Sequence, residues 1–142
     1  MSTARKNITS VNYNQNDDKR AFKLIRLVRE GISFKDFNVI ANTHPFEDKE
    51  WGAFLNISTR TLDRYKEENR KFNPKHTERI IEIQQLMDYG ISVFEDKENF
   101  NHWLSSKNIA LGGFIPKKLF DTTIGINLIK DALGKIEHGI LA

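Results

Sequence analysis

The chain contains no cysteine, which excludes disulfides, thiolate metal sites and one of the common catalytic nucleophiles. It has no stretch near the roughly 18 apolar residues that a membrane span requires. Residues 1–18 carry two basic side chains but no apolar core, so they do not read as a secretory signal. These absences make the cytoplasm the expected compartment. Strand-type alternation of apolar and polar positions is missing throughout, as are repeats and low-complexity tracts. The sequence also lacks a phosphate-binding loop, because Gly112-Gly113 has neither a preceding strand nor a trailing Lys-Ser/Thr.

The arrangements that chemistry requires are equally scarce. His44, His76, His102 and His138 do not pair at i, i+4 on one helical face, so no metal site is expected. Ser105-Ser106 has no neighbouring base or oxyanion device. No metal or other cofactor is expected, and the chain reads as a binding protein rather than an enzyme.

What is present fits a globular fold: 142 residues, 39% of them hydrophobic and 29% charged. The net charge of +3 is unevenly spread, with 14 Lys and Arg against 10 Asp and Glu in residues 1–74, and 8 against 9 in residues 75–142. A basic front and a near-neutral back imply two surfaces with different partners.

Helical periodicity accounts for almost the whole chain, so the expected fold is all-α. Residues 1–16 are rich in Asn, Ser and Thr and read as a mobile arm. Ala21, Leu24, Ile25, Val28 and Ile32 define the inward face of a helix capped by Asp17 or Asp18 and ended by Gly31. Ser33 caps a second helix over residues 34–41, which His44-Pro45 stops. A third runs over residues 47–55, and Ser58 caps a fourth that reaches about Glu68. Asn73-Pro74 opens a long helix whose stripe is Ile80, Ile83, Met87, Gly90 and Phe94. Asp96 caps the next, with Phe100, Trp103 and Leu104 inward. After a loop containing Gly112-Gly113 and Pro116, a last helix starts near Asp121 or Thr122. It is expected to bury Gly125, Leu128, Ile129, Ala132, Leu133 and Ile136. Trp51 and Trp103 read as core anchors.

The segment 51–58, Trp-Gly-Ala-Phe-Leu-Asn-Ile-Ser, has the chemistry of a helix-turn-helix turn. Gly52 supplies the small residue where two helices approach, Asn56 tolerates the left-handed turn geometry, Ile57 buries the turn and Ser58 caps the next helix. In that helix Leu62 and Tyr65 face inward. Thr59, Arg60, Asp63, Arg64 and Lys66 stay outside, near the end that enters a major groove. Arginine pairs with guanine edges and hydroxyls with phosphates or bases. Asp63 pairs with Arg64 or Lys66, or accepts from a cytosine amine. Ser58, Thr59, Arg60, Asp63, Arg64 and Lys66 are thus the expected contacts to double-stranded operator DNA. This part of the sequence resembles the Xre-like helix-turn-helix class.

The C-terminal half is dense in special residues: Trp103-Leu104, Asn108, Leu111-Gly112-Gly113, Pro116, Leu119, Thr122, Gly125 and Leu133-Gly134, followed by Ile136-Glu137-His138-Gly139. Glycine inside a helix costs about 1 kcal/mol relative to alanine, so Gly125 and Gly134 imply that another backbone packs closely there. The set closely resembles the toxin-binding domain of the Xre/MbcA/ParS antitoxins, from Trp103 to Ala142 and more loosely back to Trp51. One departure is Phe114, where a polar or basic residue commonly follows the glycine pair.

The resemblance implies a type II antitoxin that occludes the active site of a RES-domain, NAD-consuming toxin. It also implies dimerisation through the C-terminal half and repression of the antitoxin's own operon, often better with toxin bound. On this reading residues 17–73 form the DNA-binding region and residues 74–142 the toxin-binding and dimerisation domain. The expected toxin contacts are Gly113, Phe114, Pro116, Lys117, Lys135, Glu137, His138, Ile140, Leu141 and Ala142. The tail 135–142 is expected to enter or seal the toxin's cleft, because burying its apolar end in a partner contributes about 1.5–3 kcal/mol per large side chain. The alternative reading is a free-standing helix-turn-helix repressor whose C-terminal lobe only dimerises.

Overall fold

The computed structural model describes residues 15–139. The arm expected over residues 1–16 therefore falls largely outside the described residues, as do Ile140, Leu141 and Ala142. Among the described residues the fold is all-α: α1 (Gln15–Glu30), α2 (Phe34–Ala41), α3 (Asp48–Leu55), α4 (Thr59–Glu68), α5 (Pro74–Phe94), α6 (Lys97–Ser105) and α7 (Thr123–Glu137). Two short 3-10 turns, Ile109–Leu111 and Pro116–Leu119, connect α6 to α7.

The helix ends follow from capping chemistry. Ser33, Ser58, Asn73, Asp96 and Thr122 each accept a backbone N–H from the first turn of the following helix. Asn56 and Asn69 end α3 and α4 in the left-handed conformation. These ends coincide with the sequence expectations to within two residues, whereas α1 starts at Gln15 and holds Asp17 and Asp18 inside its first turn rather than at its cap.

α5 is the axis of the molecule. Its buried residues Ile80, Ile83, Leu86 and Met87 receive α1, α3, α6 and α7. Thr77 is buried at its N-terminal end and fully satisfied, accepting from the Ile32 N–H at 3.1 Å and donating to the Phe72 carbonyl at 3.3 Å. A chain of aromatics fills the space beside it: Phe37 packs edge-on against Trp51 at 5.0 Å, Phe46 against Trp51 at 5.8 Å, and Phe120 lies 5.0 Å from Phe54. One core therefore runs from α2 through α3 and α5 to α7.

Three expectations of burial are corrected. In α1, Ala21 and Ile25 are exposed; the face on the core runs instead through Leu27. Leu128 in α7 is likewise exposed, and Ile126 is buried in its place. The stripe that meets α5 and the 3-10 turns is Gly125, Ile126, Ile129, Ala132 and Leu133, and Leu128 sits about 100° away from Ile129 on a 3.6-residue helix. Gly134 is not a site of close approach either: a Cβ there would meet only the Tyr89 hydroxyl, at 3.7 Å. Gly125 does fulfil the expectation, since a Cβ would overlap the carbonyl oxygen of Leu119.

Candidate DNA-binding and toxin-binding surfaces

The turn between α3 and α4 is built from the residues that its geometry demands. A Cβ on Gly52 would lie 2.7 Å from the Ile57 carbonyl oxygen, so only glycine lets α3 approach the turn. Asn56 takes φ 57 and ψ 44, a left-handed conformation that asparagine tolerates better than most residues. Ile57 N–H closes back on the Gly52 carbonyl at 2.9 Å. Ser58 accepts the Thr61 N–H at 3.0 Å and donates its own hydroxyl to Thr61 Oγ1 at 2.9 Å, so its side chain is spent on holding α4. Leu62 is buried and Tyr65 half-buried, and together they key α4 to the core.

Thr59, Arg60, Asp63, Arg64 and Lys66 are all exposed on α4. The four charged members of that set make no side-chain ion pair among the described residues, so the pairing of Asp63 with Arg64 or Lys66 is not seen. Arg70, beyond the helix, is engaged: its guanidinium lies 5.1 Å above the Tyr65 ring and 3.7 Å from Glu68. Asn69, which sequence reasoning did not single out, clamps the start of α2 by accepting the Lys35 N–H at 3.0 Å. Its left-handed role at a helix end was the available signal.

The second surface is the loop between α6 and α7. Gly112 and Gly113 take φ 69 and 82, and the Gly113 N–H returns to the Asn108 carbonyl at 2.8 Å. A reciprocal bond from the Asn108 N–H to the Phe114 carbonyl at 3.0 Å closes the loop. This tight path displays Ile109, 95% exposed, and Phe114, 58% exposed. Ile109 was not among the expected contacts. Ile124 and Leu128, one turn apart on the outer face of α7, are exposed as well.

The remaining expected toxin contacts are scattered in kind. Pro116 is buried and opens the second 3-10 turn. Lys117 is half-buried, its Nζ 2.7 Å from Glu50 Oε2 on α3. Lys135 and His138 are exposed at the end of α7, where His138 is the cap residue. Glu137 accepts the Tyr89 hydroxyl at 3.0 Å. Burial, followed by that bond and the Glu137 charge, pushes the Tyr89 pKa up to about 12. Among the described residues no cluster of His, Asp and Glu is arranged to hold a metal ion, and no helix is long and apolar enough to cross a membrane.

Fold and surfaces together define a class: a helix-turn-helix module joined, through a shared long helix, to a helical module that presents a glycine loop. Comparison with known proteins places the chain within that class. Residues 23–84 match the antitoxin Xre-like helix-turn-helix domain, and residues 90–139 match the antitoxin Xre/MbcA/ParS C-terminal toxin-binding domain. The chain is 31% identical over 87 residues to an "Antitoxin Xre" of Yersinia enterocolitica, covering 61% of this chain and 59% of that protein. It is 26% identical over 117 residues to an "Antitoxin Xre" of Photorhabdus laumondii, covering 82% and 79%. A "Prs ADP-ribosylating antitoxin" of Sphingobium is 24% identical over 127 residues, covering 83% and 80%. The chain thus carries, in order, an Xre-like helix-turn-helix domain and an Xre/MbcA/ParS C-terminal toxin-binding domain.

Proposed function

We propose that the chain neutralises a RES-domain, NAD-consuming toxin by covering its active site, and represses its own operon through α4. The observation that carries the first part is the pair Ile109 and Phe114. Large apolar side chains held out to solvent by a hydrogen-bonded loop gain nothing in water, and they sit inside the matched toxin-binding domain. Rigid apolar anchors of this kind are what the centre of a protein interface uses. The name of the Sphingobium relative, which refers to ADP-ribosylation, supports a toxin that acts on NAD.

Gly113 and Phe114 form the loop contact in this reading. Lys135, Glu137 and His138, with the apolar tail Ile140, Leu141 and Ala142, form a second one at the end of α7. For the DNA half, Thr59, Arg60 and Arg64 are exposed toward the N-terminal, groove-entering end of α4, and Lys66 is exposed in its last turn. A single module with so few cations binds DNA weakly, so a homodimer reading two half-sites completes the proposal. Ile124 and Leu128 on α7 are its candidate contacts.

Co-purification tests the proposal. The protein encoded beside this chain's gene, which the reading requires to be a RES-domain toxin, is expressed with tagged wild-type chain, with Ile109→Asp/Phe114→Asp, and with residues 139–142 deleted. Capture by the wild type and its loss in the loop variant are the expected results. Failure of the wild type to capture that protein would refute the reading.

A further inference from the structure

In a helix-turn-helix complex the first helix crosses the DNA backbone while the second enters the groove. Here the first helix, α3, begins with an acidic turn: Glu47, Asp48 and Glu50. Left alone, that turn would repel the phosphates it meets. The C-terminal half sits on it. The 3-10 turn Pro116–Leu119 places Lys117 Nζ 2.7 Å from Glu50 Oε2, while Glu50 Oε1 accepts the Glu47 N–H at 3.1 Å. Both Glu50 oxygens are thereby committed. Partial burial alone would raise the Glu50 pKa. The Lys117 and Glu47 hydrogen bonds and the charges of Lys117 and Lys118 outweigh it and hold the carboxyl below its ordinary value. Lys118 and Lys49 are exposed on the rim of the same cleft, of about 400 Å³, which they share with the exposed Glu47 and Asp121, and neither lysine makes an ion pair among the described residues.

We propose that Lys117 and Lys118, although they lie in the toxin-binding domain, belong to the DNA interface: Lys117 cancels the Glu50 charge, and Lys118 contacts a backbone phosphate beside the start of α3. This rests on the DNA-binding reading of α4. The partner is a duplex recognised by its charge at this point, because phosphate contacts position a protein without reading sequence. The toxin-binding domain then contributes to operator affinity before any toxin is bound.

Fluorescence anisotropy with the full chain tests this, using a duplex of the chain's own promoter and a random-sequence duplex of equal length over a series of salt concentrations. Lys118→Ala is expected to weaken both complexes several-fold and to reduce the steepness of log K against log salt by about 0.9 for each bound subunit, the value of one phosphate contact. Lys117→Ala is expected to weaken both, with Glu50→Gln added to it restoring binding. Arg64→Ala, on α4, is the control for the underlying reading. If Arg64→Ala weakens promoter binding while Lys118→Ala leaves affinity and salt dependence unchanged, this inference falls and the DNA reading stands. If neither substitution has an effect, both fall. Loss of toxin capture by Lys118→Ala with an unchanged salt dependence would assign Lys118 to the toxin and overturn the inference. Failure of Glu50→Gln to rescue Lys117→Ala would overturn the neutralising role.

Discussion

The ring of Phe120, from the turn before α7, lies 5.0 Å from that of Phe54 on α3. Phe46 stands edge-on to Phe120 at 5.7 Å, completing a cluster in which the C-terminal segment and the helix-turn-helix share one apolar core. Phe120→Ala should therefore destabilise the whole chain by about 3–5 kcal/mol, the usual cost of deleting a buried ring. Urea unfolding followed by tryptophan fluorescence should still show a single transition, because Trp51 sits in the same aromatic chain. Separate transitions for the two halves would contradict the shared core.

Two glycines of α7 should respond in opposite directions. Gly125→Ala drives a methyl group into the Leu119 carbonyl, a backbone atom that cannot swing aside, so a loss of about 1–3 kcal/mol is expected. Gly134→Ala meets nothing closer than the Tyr89 hydroxyl and should gain up to about 1 kcal/mol from helix propensity. Chemical denaturation of the two variants side by side separates close backbone packing from mere glycine content.

Acidification should weaken the fold from near neutrality downward. His44 Nε2 lies 2.9 Å from Gln84 Oε1. Burial lowers the His44 pKa below its ordinary 6.5, only partly offset by the Gln84 hydrogen bond and the Asp88 charge. His76 is lowered too, by burial and then by Lys75. The unfolded chain thus takes up more protons as the pH falls through about 6.5, so this stability is fully present above that value and declines below it. The urea midpoint should drop between about pH 7.5 and 5.5, and His44→Gln should flatten part of that drop. A midpoint independent of pH across this range would show that neither histidine is held neutral by the fold.

On α4, Arg60→Ala and Arg64→Ala should each weaken promoter binding by about 1–3 kcal/mol at fixed salt, the worth of a good base contact. Neither side chain supports the fold through an ion pair, so thermal stability should not change. Unchanged affinity in both variants would mean that α4 is not the reading helix.

How much of this was legible in the sequence depends on how local the physics is. Caps, turns and helix periods are set by residues a few positions apart. Ser58, Asn56 and Gly52 consequently took the roles their chemistry announced, and Gly125 was recognisable as a close approach. Which side of a helix is covered is decided by partners distant in sequence. That is why Ile25 and Leu128 are exposed where periodicity placed them inside, and why Gly134 packs against nothing close. The sites divide in the same way. The exposed face of α4 follows from one helix alone. The pairing of Lys117 with Glu50 joins residues 67 positions apart and had no local signal.

The most direct test of the central claim is the NAD content of cells that express the protein encoded beside this chain's gene, proposed to be a RES-domain toxin, measured with and without the chain. Co-expression of the wild type is expected to preserve NAD and growth. Ile109→Asp/Phe114→Asp should let NAD fall while still binding promoter DNA. If NAD falls equally with the wild type present, or is preserved equally by the loop variant, the chain does not silence such a toxin through this loop.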